Sequence, residues 1–305
     1  MIYSFLTGYI KEAAEGGDPF AQFELGWAFD IAVDGEQDFD KAAALYAKAA
    51  SQGHTAAESN LLLQHVLGQA SALPPETVFK RLLELAKLGD TDARVNTGLC
   101  YDKGFGVQRD YREAAAWFLR AAEAGSAAAQ FNLGGAFYEG KGFDKDFNRA
   151  AEWYTKAAQQ RHELALIKLG HMYQKAIGVE MDLRRALILY SIAYRQGSVR
   201  AANHLGFLFR RGLGVDKDDA IAYKMFLESV SRPDTEDVDA GLSYRGYAYY
   251  MLGTMAERGD GVEKDLRAAK DWFKRGAACG RQSCVEAVAR IRPKSRPRHS
   301  LGTPH

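Results

Sequence analysis

Four glycine pairs, Gly104-Phe-Gly106, Gly140-Lys-Gly142, Gly212-Leu-Gly214 and Gly259-Asp-Gly261, have the spacing of a loop that could wrap a phosphate. A dinucleotide-binding loop needs a strand before it, and each of these pairs lies between two helical patterns. No Gly-Lys-Ser or Gly-Lys-Thr phosphate loop accompanies them, so they read as turns. Cys279 and Cys284 stand five apart, with no Cys-x-x-Cys pair and no neighbouring histidine, which is not the ligand spacing of a zinc site. Three cysteines cannot make a disulfide framework. Free thiols are expected, because a bond between Cys279 and Cys284 would clash with a continuous helical turn. His171 and His204 fall on adjacent repeats of the pattern described below, but no third metal ligand presents itself. No Ser-His-Asp or Cys-His set can be assembled. The chain is therefore expected to be no enzyme and to need neither a metal nor a cofactor.

The elements that would position such residues follow from the glycines. The chain of 305 residues holds 30 glycines and only 7 prolines. Gly17, Gly53, Gly89, Gly125 and Gly197 fall on one 36-residue period, with Arg161 at the vacant place. Gly26, Gly98, Gly134, Gly170 and Gly206 fall on a second, with Leu62 at the vacant place. A fixed period of this size is the signature of a solenoid. In one stretch Ala129, Leu133 and Phe137 line a helical face; in the next Ala150, Trp153, Tyr154 and Ala157 do so. Each repeat thus predicts two helices, with a Gly-x-Gly turn closing the first and a single glycine closing the second. Gly134 lies inside a helix, where glycine costs about 1 kcal/mol relative to alanine. Its recurrence predicts a close approach by a neighbouring helix. Trp117, Trp153 and Trp272 are expected in the core.

The units fall near 18–53, 54–89, 90–125, 126–161, 162–197, 198–243 and 244–280. The second is degenerate: Leu61-Leu62-Leu63 replaces Leu-Gly, and Leu73-Pro74-Pro75 replaces the glycine turn. The sixth carries an insertion near the acidic stretch from Pro233 to Gly241, expected as a solvated loop. Half-repeats at either end, Gly8–Ala14 and Gln282–Ile291, fit the capping a solenoid needs. Residues 292–305 are expected to form a basic, disordered tail.

These motifs resemble the Sel-1-like repeat family, a relative of the tetratricopeptide repeat. The resemblance is carried by Ala129-x-x-x-Leu133-Gly134, Gly140-x-Gly142, Asp146, Ala150, Trp153-Tyr154, Ala157-Ala158 and their counterparts in residues 90–232 and 244–280. It extends more loosely to 18–53. It implies an all-α, right-handed α-solenoid of about seven helix pairs with half-repeat caps. It also implies a non-catalytic adaptor or scaffold that assembles signalling, quality-control or envelope-associated complexes. A hydrolase or cell-wall-active enzyme on the same scaffold, and an inhibitor or immunity protein that blocks a toxin, are the alternatives. Family members with a disulfide in every repeat exist, and this sequence lacks that pattern.

In related helical repeats the first helices line a concave face that holds the partner. The motif's Ala, Leu, Gly and aromatic are buried there, leaving three positions around the Leu free. These nominate Trp27, Asn96, Asn132, Tyr138, Lys168, His171, His204 and Arg210 as partner-binding residues. The early repeats add Glu24, Asp30 and Asp102; the later ones add Lys175, Arg200 and Arg211. The face is expected to grade from acidic to basic and to suit an extended, acidic peptide. Asparagine can hold peptide backbone as donor and acceptor, and arginine can take a carboxylate.

Composition narrows the rest. Forty basic against thirty-nine acidic residues give a net charge of +1, which is no chain-wide nucleic-acid footprint. No run approaches the roughly 18 apolar residues a membrane helix needs. The start, Met1-Ile-Tyr-Ser-Phe-Leu6, lacks the positive and apolar regions of a secretory signal. The cytoplasm is the expected location, or the periplasm if a signal was removed ahead of this numbering.

Overall fold

Most helices of this chain start on a side chain that satisfies one or two of the first free amide groups. The computed structural model describes residues 2–31, 37–70, 73–231 and 244–291. The acidic stretch 233–241 and the tail 292–305 lie outside them. The described residues form sixteen helices and no strand. Contacts divide the chain into two compact units, Met1–Met181 and Asp182–His305.

The first unit holds α1 (Ile2–Glu15), α2 (Pro19–Asp30), α3 (Phe39–Ser51), α4 (Thr55–Val66), α5 (Pro75–Lys87), α6 (Thr91–Lys103), α7 (Tyr111–Glu123), α8 (Ala127–Glu139), α9 (Phe147–Gln159) and α10 (Glu163–Lys175). The second holds α11 (Leu183–Arg195), α12 (Val199–Arg211), α13 (Asp219–Ser231), α14 (Tyr244–Arg258), α15 (Leu266–Ala278) and α16 (Gln282–Arg290). Within each unit every helix packs on the next in sequence.

The even-numbered helices α2 to α14 are the first helices of the repeats, and the odd-numbered α3 to α15 are the second. Aspartate opens most second helices: the carboxylates of Asp38, Asp110, Asp146, Asp182, Asp218 and Asp265 accept from backbone N–H groups two or three residues on. In five repeats the same aspartate also donates its own N–H to the preceding first helix, as Asp146 does to the Phe137 carbonyl at 3.0 Å. One residue thus fixes both ends of the turn, which explains its constant length. First helices are opened by Asp18, Asp90, Ser126 and Ser198, and by the Nδ1 acceptors of His54 and His162.

The two glycines of the turn have separate tasks. Gly140 ends α8 in the left-handed conformation at φ 76°, and the N–H of Lys141 reaches back to the Ala136 carbonyl. Gly142 meets the preceding repeat: a Cβ there would overlap the carbonyl of Tyr111 at the start of α7. Where the pattern lacks glycine, the backbone keeps its shape. Arg161 has φ 62° and Ala176 φ 56°.

The helical glycines answer to a ring, not to a backbone. A Cβ on Gly134 would come within 2.8 Å of Tyr154, and one on Gly98 within 2.6 Å of Phe118. Gly206 and Phe226, and Gly253 and Phe273, repeat this in the second unit. In the degenerate repeat both partners change together. Leu62 replaces the glycine and Leu82 the ring, and both are buried in one cluster with Val78 and Leu85. Two of the three tryptophans that stand one residue before these rings are less deep than expected. Trp117 is buried, whereas Trp153 and Trp272 are half-buried. A cation covers each ring: Arg120 at 4.5 Å, Lys156 at 3.7 Å and Arg275 at 4.8 Å from the ring centre.

Candidate partner-binding face

With the motif residues consumed in packing, the first helices have a stripe left over, and five of the eight nominated residues, Trp27, Asn132, Tyr138, Lys168 and His171, lie on it. In the first unit, α2 presents Glu24, which is exposed, and Trp27, 45% exposed. Neither has an ion-pair or ring partner among the described residues. On α8, Asn132 is half-buried with no hydrogen-bond partner for its amide among them, and Tyr138 is half-buried, edge-on to Phe147 at 5.1 Å. On α10, Lys168 is exposed, and His171 is half-buried one turn away. Burial lowers the His171 pKa, and the charges of Lys175 and Lys168 lower it further. Its imidazole is therefore neutral at pH 7 and can both donate and accept.

Three nominated residues are committed inside the protein. Asn96 is buried, and its Nδ2 donates to the Ser59 carbonyl of α4 at 3.2 Å. Position 59 carries serine where the next repeats carry Val95, Phe131 and Ile167, so a smaller side chain stands beside the carbonyl that the asparagine reaches. His204, in the second unit, stacks on Tyr190 with centroids 4.5 Å apart and rings 7° from parallel, and meets the edge of Tyr244. Arg210, its side chain 14% exposed, pairs with Asp260 at 3.1 Å and lies 3.8 Å from Asp219. It ties α12 to the turn after α14. Of the acidic set, Asp30 accepts from Tyr46 Oη and Gln64 Nε2, and Asp102 faces Lys141 of the next repeat's turn. Arg200 and Arg211 lie over the rings of Tyr244 and Phe207. The grading of charge along the first helices is thus only partly available at the surface: Glu24, Lys168 and Lys175 carry it within the first unit.

Two further features were not read from the sequence. Asn60, one repeat before Asn96, donates to Tyr46 Oη at 3.3 Å, which places it in the same polar network as Asp30. The 36-residue spacing of Asn60, Asn96 and Asn132 was the available signal. The second is a cavity between α3, α4 and α5, taken up below. The thiols are as expected in being free, but for another reason: Cys279 follows the end of α15 and Cys284 lies on α16, so they do not share a helix. Among the described residues no group of three His, Cys, Asp or Glu side chains is placed to hold a metal ion. No helix among them is long and apolar enough to cross a membrane.

The Sel1 repeat profile matches residues 19–54, 91–126, 127–162, 164–198, 199–233 and 246–280. The chain belongs to the Sel1 repeat family. The stretch passed over after residue 54 is the one in which Leu62 and Leu82 replace glycine and ring. A protective antigen of uropathogenic Escherichia coli, c5321, which displays the same fold, is 28% identical and superposes with a TM-score of 0.68 over 93% of this chain. This chain spans 59% of the length of that protein. A Sel1 repeat protein from Oxalobacter formigenes is 30% identical over 71% of this chain and 84% of its own, with a TM-score of 0.63. No curated protein matches the sequence. Sel1 repeat proteins are in general non-catalytic scaffolds that mediate protein interactions.

Proposed function

We propose that this chain is an adaptor whose first unit binds a partner protein along the exposed stripe of its first helices. The observation that carries this reading is the contrast on α2, α8 and α10. The recurring motif residues are buried, while the variable positions Trp27, Asn132, Lys168 and His171 offer a ring, an amide, an ammonium group and a neutral imidazole. Such a mixture suits recognition: an aromatic anchor supplies contact area and polar groups around it set orientation. An acidic segment of the partner fits α10 through Lys168, and α2 with Glu24 favours the opposite charge. The cytoplasm is the proposed location, since thiols such as the exposed Cys279 stay reduced there.

The test is quantitative affinity capture from the native host with the full chain, comparing wild type with a Trp27→Ala, Lys168→Glu, His171→Ala variant. Circular dichroism should show the same helical melt for both. The expected result is loss of at least one wild-type partner by the variant. Equal capture of every partner by both proteins would sink the proposal.

A further inference from the structure

The second helices carry tryptophan at one register position, as Trp117, Trp153 and Trp272. Trp117 belongs to a cluster with Leu85 and Ala86 of α5 and Ala93 of α6, so its indole fills the cleft between its own repeat and the one before. One repeat earlier, the residue at this position is Arg81. Its guanidinium is drawn aside by carboxylates: Nε lies 2.5 Å from Glu58 Oε1, Nη2 lies 3.0 Å from Glu58 Oε2, and Nη1 lies 3.1 Å from Glu84. A second change widens the same cleft. Ala47 stands where the following repeats have Leu83 and Leu119. A cavity of about 470 Å³ remains between α3, α4 and α5.

Its walls are Ala47 and Ala50 of α3 and Leu61 and Leu62 of α4. Ser51 and Thr77 add hydroxyl groups, and the Arg81–Glu58 pair stands at its side. Apolar walls with a few placed polar groups are what a binding pocket needs. The filled clefts show what fits. Elsewhere an indole sits in this place with a cation over its face, Arg120 over Trp117 for example. Here carboxylates engage the guanidinium edge of Arg81, which lines the cavity, and a guanidinium can lie face-on to a ring. Glu58, Ser51 and Thr77 offer acceptors for an indole N–H.

We propose that this cavity is a docking site for a tryptophan side chain of a partner protein, which enters at the register position where three other repeats carry Trp117, Trp153 and Trp272. The inference rests on the partner-binding role proposed above, but the cavity opens between two second helices and uses none of the four residues on the first-helix stripe.

The experiment is a titration of the ¹⁵N-labelled full chain with the peptides Gly-Gly-Trp-Gly-Gly and Gly-Gly-Leu-Gly-Gly and with free indole, followed by NMR. The tryptophan peptide is expected to shift amide signals of α3, α4 and α5 and to bind about tenfold more tightly than the leucine peptide. Two variants close the cavity in the way other repeats do. Ala47→Leu copies Leu83, and Arg81→Trp with Glu58→Gln copies Trp117 and the glutamine found at Gln22 and Gln130. Each is expected to weaken the tryptophan peptide about tenfold or more, and the double variant to melt at a higher temperature. Should the double variant fail to fold, Ala47→Leu decides alone. Equal binding of the two peptides, shifts confined to other helices, or undiminished binding by Ala47→Leu would overturn the proposal. Free indole binding more tightly than the peptide would reassign the cavity to a small molecule and overturn it too. The Trp27→Ala, Lys168→Glu, His171→Ala variant is expected to bind the tryptophan peptide as wild type does. Failure of the capture experiment with success here would thus remove the first-helix reading and leave the cavity standing.

Discussion

Single residues divide into those whose role is fixed by a local partner and those whose role depends on a distant one. Gly134 belongs to the first kind. Gly134→Leu is expected to cost about 1–3 kcal/mol by driving a side chain into Tyr154. Adding Tyr154→Leu should restore part of that, because Leu62 and Leu82 coexist at the same two positions in the degenerate repeat. A coupling of about 1 kcal/mol or more in urea denaturation of the two single variants and the double would confirm the pairing; additivity would refute it. His162 is also local: its Nδ1 caps α10, and burial lowers its pKa below the ordinary 6.5. The folded state therefore binds its proton more weakly than the unfolded chain. Its contribution to stability is full above about pH 6.5 and is lost as pH falls through the lowered value. His162→Ser, which installs the cap seen at Ser126, should flatten the fall in melting temperature between about pH 7 and pH 5. An unchanged slope would show that other groups set it. Asn96 and Arg210 are of the second kind, and there the sequence was opaque. Asparagine before the motif's Leu looks the same at 96 and at 132. Only Asn96 turns inward, to the carbonyl of the small Ser59 37 residues away. Arg210 finds Asp260 only across the insertion, where the repeat spacing no longer points to the partner.

At the scale of helices, the caps carry most of the information, and most of it was legible. The turn glycines marked the ends of α6, α8, α12 and α14, and the ring position marked the interior side of the second helices that carry a ring there. What spacing could not show is that the shape outlasts its glycine. Ala176 keeps the left-handed conformation at the end of α10, where a side chain is disfavoured by about 1–2 kcal/mol. Ala176→Gly should therefore stabilise the chain by up to about 1 kcal/mol, after the greater freedom of glycine in the unfolded state is subtracted. A thermal melt that falls would show that Ala176 makes a compensating contact. Asp146→Ala should cost about 1 kcal/mol by uncapping α9, with the earliest loss of hydrogen-exchange protection in the turn before it. The depth of Trp153 and Trp272 was over-read for a related reason. A period identifies the face of a helix, but the cations at Lys156 and Arg275 let Trp153 and Trp272 remain half-buried without leaving bare rings.

For the whole molecule, the repeat contacts run between neighbours in sequence within each of the two units. Stability in such an array is close to a sum of repeat and interface contributions. A destabilising change in α8, such as Gly134→Leu, is expected to raise amide exchange in α7 to α10 well before it is felt in α13 to α15. Uniform acceleration across all helices would show instead that the chain unfolds as one cooperative body. The fold class was readable from period alone at this scale. The binding face was readable only as a set of positions, because exposure depends on which side chains the neighbouring repeat consumes.

The double use of the turn has a consequence for heredity. Gly142 fits against the carbonyl at the start of the second helix before it, and Asp146 binds back to the first helix of its own repeat. The turns at Gly106 and Asp110, Gly214 and Asp218, and Gly261 and Asp265 present the same plug and the same socket. A duplication or deletion of the gene in steps of 108 bases, one regular repeat of 36 residues, leaves these regular junctions matched. Lineages carrying such a gene can lengthen or shorten the protein by recombination between its own repeats, and change its partners without first solving the folding problem again.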